Sequence, residues 1–339
     1  MDKISNFNQY IIAEVGQNHQ GSQKIAIDYI ETFSKLGASA IKFQTRDIDN
    51  LFDRDSLNRK YYSNNAFADT YGQHRKKLEL DHGFYDELIK TCKNNNTDFI
   101  STPFDIPSLE FLIKKGVNKL KISSFDCGFL KLIDLMAEAD IWTIMSCGGA
   151  NLDHIRASVN CYLKKSKKLV LLYCVSEYPT PIDKLKLGNI KTLIKEFPDV
   201  KVGLSDHFNG ILTGPLAAML GATVFEKHVT FDRAWKGTDH VFALEPEGFR
   251  KFCRDIRRTH YITDTGFREN LGSEPVFKKL GKSIIFEKDF SAGHVIEIKN
   301  LNGKILNNHG VPIRETYKYI GKKLQVAVKG QQALSDDMF

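Results

Sequence analysis

Two histidines, His207 and His228, stand 21 residues apart in a chain of 339. Each lies just beyond a short apolar run, at 200–204 and 222–225. That separation suits one strand–helix unit, which places both imidazoles at the ends of neighbouring strands. Two imidazoles that converge can hold a divalent cation and leave coordination positions open. Asp206 and Glu226 are candidate acceptors for the ring N–H groups. Either histidine alone is as well explained by a bond to backbone; the matched locations carry the metal reading.

Three lysines, Lys42, Lys121 and Lys227, lie in or just after apolar runs. A lysine in a buried strand is costly unless it is paired or binds an anion. Lysine suits phosphate and carboxylate as a point-charge partner. Thr102, Ser124, Ser146 and Ser205 add hydroxyls at equivalent depth, so a small dianionic ligand is expected. Glu14 ends the first apolar run and is a candidate general acid or base beside such a site. Asp126, Asp239 and His240 could bind hydroxyls of a second substrate; each alone reads more simply as a solvated loop residue.

Something must bring these side chains together. Apolar, β-branched runs occur at 10–13, 40–43, 98–101, 119–123, 142–145, 169–173, 200–204 and 222–225. Amphipathic stretches such as 24–36, 83–94 and 107–115 lie between them. Alternation of this kind implies parallel βαβ units, and the count favours a closed (β/α)8 TIM barrel over an open doubly wound sheet. The polar motifs sit at or after the run ends, where the C-terminal face of a barrel carries its chemistry.

The character changes after Leu271. Residues 272–280 read as a linker, which assigns a catalytic barrel to 1–271 and a small β-rich domain to 281–339. In that domain 282–290, 293–298 and 319–328 read as short strands. Its size is near the lower limit for independent stability.

Composition sets outer bounds. Hydrophobic residues make up 42% of the chain, enough for a sizeable core, and the net charge is +7. That charge suits an acidic small molecule or a nucleic acid, but no Lys/Arg run of five or more and no nucleic-acid motif accompanies it, so no nucleic-acid partner is expected. The six cysteines form no CxxC pair, which argues against a zinc ribbon. Neither a signal sequence nor an apolar stretch long enough for a bilayer is apparent, and a cytoplasmic protein away from membranes is expected.

The ordered motifs AEVGQNHQG (13–21), KFQ (42–44), YGQHRKKLEL (71–80), STPFD (101–105), YPTP (178–181), GLSDH (203–207), EKHVT (226–230) and WKGTDH (235–240) resemble the N-acetylneuraminate synthase family. Residues 280–291 resemble the start of that family's antifreeze-like (SAF) domain. The resemblance implies condensation of phosphoenolpyruvate with an N-acetylhexosamine, such as N-acetylmannosamine or its 6-phosphate. The product would be a nine-carbon 2-keto-3-deoxy sugar acid, with release of phosphate. It implies that His207 and His228 hold Mn²⁺ or Mg²⁺ and that Glu14 handles protons. Lys42, Thr102, Lys121, Ser124, Ser146, Ser176, Tyr178 and Ser205 would surround phosphoenolpyruvate. Gln44, Asp126 and Asp239 would contact the sugar.

Family members place the tail domain of one chain over the barrel mouth of its partner, which implies a domain-swapped homodimer. Many bacterial members present an arginine there. The corresponding stretch, GKILNNHGVP at 303–312, has none. Lys304, or an amide of Asn307 or Asn308, is the candidate substitute. Synthases making legionaminic, pseudaminic or eight-carbon acids remain open, as do a hydrolase or isomerase on the same barrel and a catalytically inactive sugar-binding module.

Overall fold

Successive residues of a strand face opposite sides of its sheet, and this chain gives the two sides different work. The computed structural model describes residues 9–263 and 272–339. Eight strands, β1 (Tyr10–Gly16), β2 (Ala40–Thr45), β3 (Asp98–Pro103), β4 (Lys119–Ile122), β5 (Trp142–Ser146), β6 (Leu169–Cys174), β7 (Lys201–Asp206) and β8 (Val224–His228), pair in parallel and in order. Pairing of β1 with β8 closes the barrel, with Tyr10 opposite Val224 and Glu14 opposite His228.

Tyr10, Ile12, Ala40, Ile100, Ile144, Val170, Leu172 and Val224 fill the interior as one buried cluster. Their chain neighbours Ile11, Ala13, Ile41, Phe99, Met145, Leu171 and Phe225 face outward and pack in the larger core with the helices. Gly203 belongs to the inner layer. A Cβ there would lie 2.0 Å from the Val224 carbonyl oxygen and 2.7 Å from Leu172 Cδ2, so only glycine lets β7 approach β8 so closely.

The helices follow from amphipathic spacing and caps. Helix α1 (Gln23–Lys35) buries Ala26, Tyr29, Ile30 and Phe33, and Ser22 caps its N-terminus through Ile25 N. Helix α2 (Tyr71–Leu78) lies in the β2–β3 connection and is capped by Thr70. Helix α3 (Tyr85–Asn94) completes that unit. Helix α4 (Ile106–Lys114) starts at Asp105, whose carboxylate accepts from Ser108 N at 2.7 Å and Asp47 N at 2.9 Å. The aspartate of STPFD therefore serves as a cap. Helices α5 (Leu130–Glu138), α6 (Leu152–Leu163), α7 (Asn189–Glu196), α8 (Thr213–Met219) and α9 (Pro246–Ile262) continue the alternation. Among the described residues no helix is long and apolar enough to cross a membrane.

The chain divides into two units, Met1–Asp264 and Thr265–Phe339. In the second, helix α10 (Pro275–Leu280) occupies most of the stretch expected as linker. Strands β9 (Ser283–Phe286) and β10 (Leu301–Lys304) are antiparallel. Ile284, Phe286, Phe290, Ile296, Tyr319, Leu324, Val328 and Leu334 form its core. The stretches 293–298 and 319–328 are not continuous strands. They meet at the single bridge Val295–Lys323, and a second bridge, Phe290–Val328, ties 319–328 to the end of 282–290. Gly293 and Gly321, at φ 87° and 81°, turn the chain before a ladder can extend.

Candidate active site

The inward face that carries apolar residues at the bottom of the barrel carries polar ones at its C-terminal end. On β1 the inward series Tyr10, Ile12 continues to Glu14; on β2 Ala40 continues to Lys42 and Gln44. Thr102, Lys121, Ser146, Ser205, Glu226 and His228 occupy the corresponding tops of β3, β4, β5, β7 and β8, and all line one cavity of about 690 Å³. Small-molecule sites run at about 300–1,000 Å³. Ser124, Asp126, Tyr178, His207 and Asp239 join that wall from the loops.

A buried charge cluster lies at the centre. Lys42 Nζ is 2.8 Å from Glu14 Oε2 and 3.7 Å from Glu226 Oε2. Lys121 Nζ is 3.5 Å from Glu226 Oε1. Lys42 also donates to Thr102 Oγ1 at 3.1 Å, and Ser205 Oγ to Glu226 Oε1 at 2.9 Å. Burial pushes the Glu14 carboxyl up to about 7; Lys42 opposes the shift and the Glu226 charge adds to it. Burial pushes Glu226 in the same direction, but Lys121, Lys42 and the Ser205 hydroxyl outweigh it and hold that carboxyl at about 2. Burial depresses Lys121, whereas Glu14 and Glu226 overcome burial at Lys42 and raise it. With Glu14 protonated, two lysines face one carboxylate, and the cluster carries a net positive charge. The Ser146 and Ser176 hydroxyls are buried without a partner; Ser146 lines the cavity, where a bound oxyanion would satisfy its donor.

His207 and His228 have ring centroids 5.4 Å apart, and both are buried. His207 Nδ1 lies 2.9 Å from the Val175 carbonyl oxygen, which can only accept, so Nδ1 is the donor there and Nε2 is the nitrogen left to face a ligand. His228 Nδ1 is buried with no hydrogen-bond partner and lies 3.8 Å from Asp239 Oδ2. Burial lowers His228 to about 4, which keeps its ring neutral near pH 7. Among the described residues no group of three or more His, Cys, Asp or Glu forms a metal cage. The residues therefore fit a cation held by two imidazoles with its other positions left to water and substrate, and do not fit a closed protein cage.

Several expectations change. Lys227 points out of the barrel, where Asp206 Oδ2 accepts from it at 2.7 Å, so neither residue takes the expected part in the site. Glu226 counters the lysines and does not orient a histidine; the carboxylate facing His228 is Asp239. Ser176 lies off the cavity wall, beneath Gly148, where an added Cβ would sit 2.4 Å from Ser176 Oγ and 2.9 Å from Ser124 Oγ. Gln44 bridges two groups: its Nε2 donates to Glu14 Oε1 at 2.8 Å and its Oε1 accepts from Arg46 at 2.5 Å. Asp126 accepts from Ser123 Oγ, and burial raises its carboxyl. His240 is buried off the cavity, with Nδ1 2.7 Å from Thr230 Oγ1. Lys304, exposed at the end of β10, belongs to the second unit.

Sequence reasoning missed Arg46, Arg75 and Gln17, which line the same cavity. Arg46 pairs with Glu79 at 3.1 Å and stacks on Phe104. Arg46 stands two residues beyond Gln44 and Arg75 sits inside the YGQHRKKLEL motif, so the signal was present.

The whole chain matches known proteins along most of its length. The model of the NeuB family matches residues 29–267. The chain is 30% identical over 330 residues to the N-acetylneuraminate-9-phosphate synthase of Homo sapiens, covering 97% of this chain and 92% of that one. It is 33% identical over 317 residues to the N,N'-diacetyllegionaminic acid synthase of Campylobacter jejuni, covering 92% and 94%. A crystal structure of the N-acetylneuraminic acid synthetase of Leptospira borgpetersenii, in complex with citrate, superposes with a TM-score of 0.69 at 31% identity, over 78% of this chain and 88% of that one. An eight-stranded barrel with this charged interior, matched at this identity and coverage, belongs to the NeuB family of nonulosonic acid synthases.

Proposed function

We propose that this protein condenses phosphoenolpyruvate with an N-acetylhexosamine, N-acetylmannosamine or its 6-phosphate, to give a nine-carbon 2-keto-3-deoxy acid such as N-acetylneuraminate. The observation that carries the reading is the cluster Glu14–Lys42–Glu226–Lys121 in one cavity with the His207–His228 pair. The reaction needs a carboxylate and a phosphate held beside an aldehyde, and the cluster and histidine pair suit those two demands.

Lys42, Lys121 and the hydroxyls of Thr102, Ser124, Ser146 and Ser205 bind and orient phosphoenolpyruvate, with Tyr178 closing one side. His207 and His228 hold Mn²⁺ or Mg²⁺, which when bound polarises the aldehyde oxygen. Asp126 and Asp239 face the sugar. C3 of phosphoenolpyruvate bonds to the aldehyde carbon, and the new alkoxide takes a proton. Water then adds at C2, losing a proton, and the C–O bond to phosphate breaks as the remaining hydroxyl proton passes to the departing phosphate, which leaves the C2 ketone. Glu14, poised near neutrality, is suited to give the first proton and accept the second. Pre-positioned charge does most of the work, and no covalent nucleophile is required.

The test is phosphate release from phosphoenolpyruvate across a panel of aldoses, with the product mass recorded. Release that requires both a sugar and a divalent cation supports the reading; release without sugar, or none with any aldose, overturns it. Legionaminic, pseudaminic and eight-carbon products are separated by the same masses.

A further inference from the structure

On the cavity wall, Arg75 on α2 has no ion-pair partner of its own among the described residues; the one carboxylate that feels its charge, Glu79, is hydrogen-bonded to Arg46. Its Nε and Nη2 donate to Tyr71 Oη at 2.9 and 2.7 Å, and Nη1 donates to Gln17 Oε1 at 2.8 Å. Among the described residues no carboxylate lies within 4.0 Å of it, whereas Arg46 is neutralised by Glu79 at 3.1 Å. Both terminal nitrogens of Arg75 keep an N–H to spare.

The neighbours are donors as well. Because Gln17 Oε1 accepts from Arg75, the orientation of that amide is fixed, and its Nε2 is buried with no partner. Asn65 spends its Oδ1 on Gly237 N at 3.1 Å, which leaves its NH₂ to donate. All three side chains line the cavity. Asp239, the nearby acid, faces His228 and accepts from Thr238 Oγ1 at 2.8 Å. A guanidinium and two amide donors without an acceptor make half of a binding site whose missing half is an anion.

We propose that Arg75, Gln17 and Asn65 form a second anion subsite, which takes the terminal phosphate monoester of a hexosamine 6-phosphate. The subsite selects the phosphorylated sugar over the neutral one. It rests on the condensation reading for its place in turnover. Its binding chemistry stands on the donors alone. A neutral acetamido group would satisfy the amides but bring no charge to the guanidinium.

The experiment compares wild type, Arg75→Met and Arg75→Lys with N-acetylmannosamine and with its 6-phosphate. Wild type is expected to show the higher kcat/KM for the 6-phosphate. The ratio of the two kcat/KM values should fall roughly tenfold to a hundredfold in Arg75→Met, the worth of one charge-assisted hydrogen bond, with partial recovery in Arg75→Lys. A wild type that prefers the neutral sugar, or an unchanged ratio in Arg75→Met, overturns the subsite. Equilibrium titration of each folded protein with N-acetylmannosamine 6-phosphate, without phosphoenolpyruvate, gives a readout independent of turnover. Affinity at least about tenfold weaker in Arg75→Met supports the subsite even if no aldose supports phosphate release, in which case the condensation reading alone fails. Unchanged affinity overturns the subsite whatever the turnover assay gives.

Discussion

Glu14→Gln removes a charge and a titrating proton with almost no change of shape. The amide oxygen can still accept from Gln44 Nε2, so the Arg46–Gln44 chain survives. Lys42 loses its 2.8 Å carboxylate and keeps Glu226 at 3.7 Å. If Glu14 moves protons, kcat should fall by about 10²–10⁴, while the KM for phosphoenolpyruvate stays level or drops. The pH profile adds a second readout. Burial raises the Glu14 carboxyl from 4.5 to about 7, so ionisation above pH 7 places a second negative charge against an anionic substrate. Wild-type kcat/KM for phosphoenolpyruvate should decline above that pH, and the decline should vanish in the variant. Stability carries the same sign. A carboxyl raised in the folded state contributes fully below its unfolded value of 4.5, and that contribution is lost as pH climbs through 7. Wild type should lose up to about 3 kcal/mol across that window from this group, and Glu14→Gln should not. Steady-state kinetics and urea unfolding at pH 5 and pH 8 measure both effects. A variant retaining more than about a tenth of wild-type kcat, or one that keeps the alkaline decline, refutes the role of Glu14.

Chelation should abolish turnover, with Mn²⁺ or Mg²⁺ restoring it, and His207→Ala and His228→Ala should each lose cation binding while melting within a few degrees of wild type. Full activity in excess chelator would remove the two-imidazole site. Lys121→Met should raise the KM for phosphoenolpyruvate by roughly tenfold to a hundredfold, the worth of a charge-assisted contact, and that for the sugar far less; the reverse pattern would exchange the two pockets. Lys121 is a cleaner target than Lys42, because Lys42 is the lysine of Glu14 and also faces Glu226, so its removal leaves Glu14 buried without a cation and risks about 3–5 kcal/mol of stability. If the tail covers a partner's barrel mouth, a chain ending at Leu271 should bind the cation and lose turnover by more than about tenfold; near-normal kcat/KM for the sugar would leave the tail an assembly role only.

The eight strands were legible because β-branched runs and amphipathic stretches alternate with little interruption, and each expected run overlaps an observed strand. The tail was harder to read. The expected strand at 282–290 overlaps β9, but the apolar residues of 293–298 and 319–328 pack the small core through single bridges and turns, so their spacing resembles strands without forming them. At the site, residues on strand tops were found because period-two alternation carries a strand's inward face upward. The same rule shows why Lys227 misled. On β8 the inward series is Val224, Glu226 and His228, so Lys227 must face the helices. On β7 the series is Gly203 and Ser205, which turns Asp206 outward to meet it. For Arg46 and Arg75 the sequence marked the neighbourhood, through Gln44 and the motif at 71–80, but not the partners: Arg75 finds Gln17 across 58 positions and Arg46 finds Glu79 across 33.

The inner layers of this barrel set two requirements against each other. Its lower half is apolar and needs nothing beyond volume, which Gly203 helps to match. Its upper half buries Glu14, Lys42, Lys121 and Glu226 with each group no more than about 5% exposed. Taking such groups out of water costs several kcal/mol each, and their mutual attraction commonly does no more than break even. An apolar layer would therefore serve stability at least as well. The arrangement is also asymmetric: Glu226 is held by two lysines and a hydroxyl, while Glu14 is left with a carboxyl near neutrality. Four groups placed only to neutralise one another would not need one carboxyl to remain titratable. A site that binds an anion and then moves protons needs fixed positive charge and one mobile proton in the same small volume, and this layer supplies both.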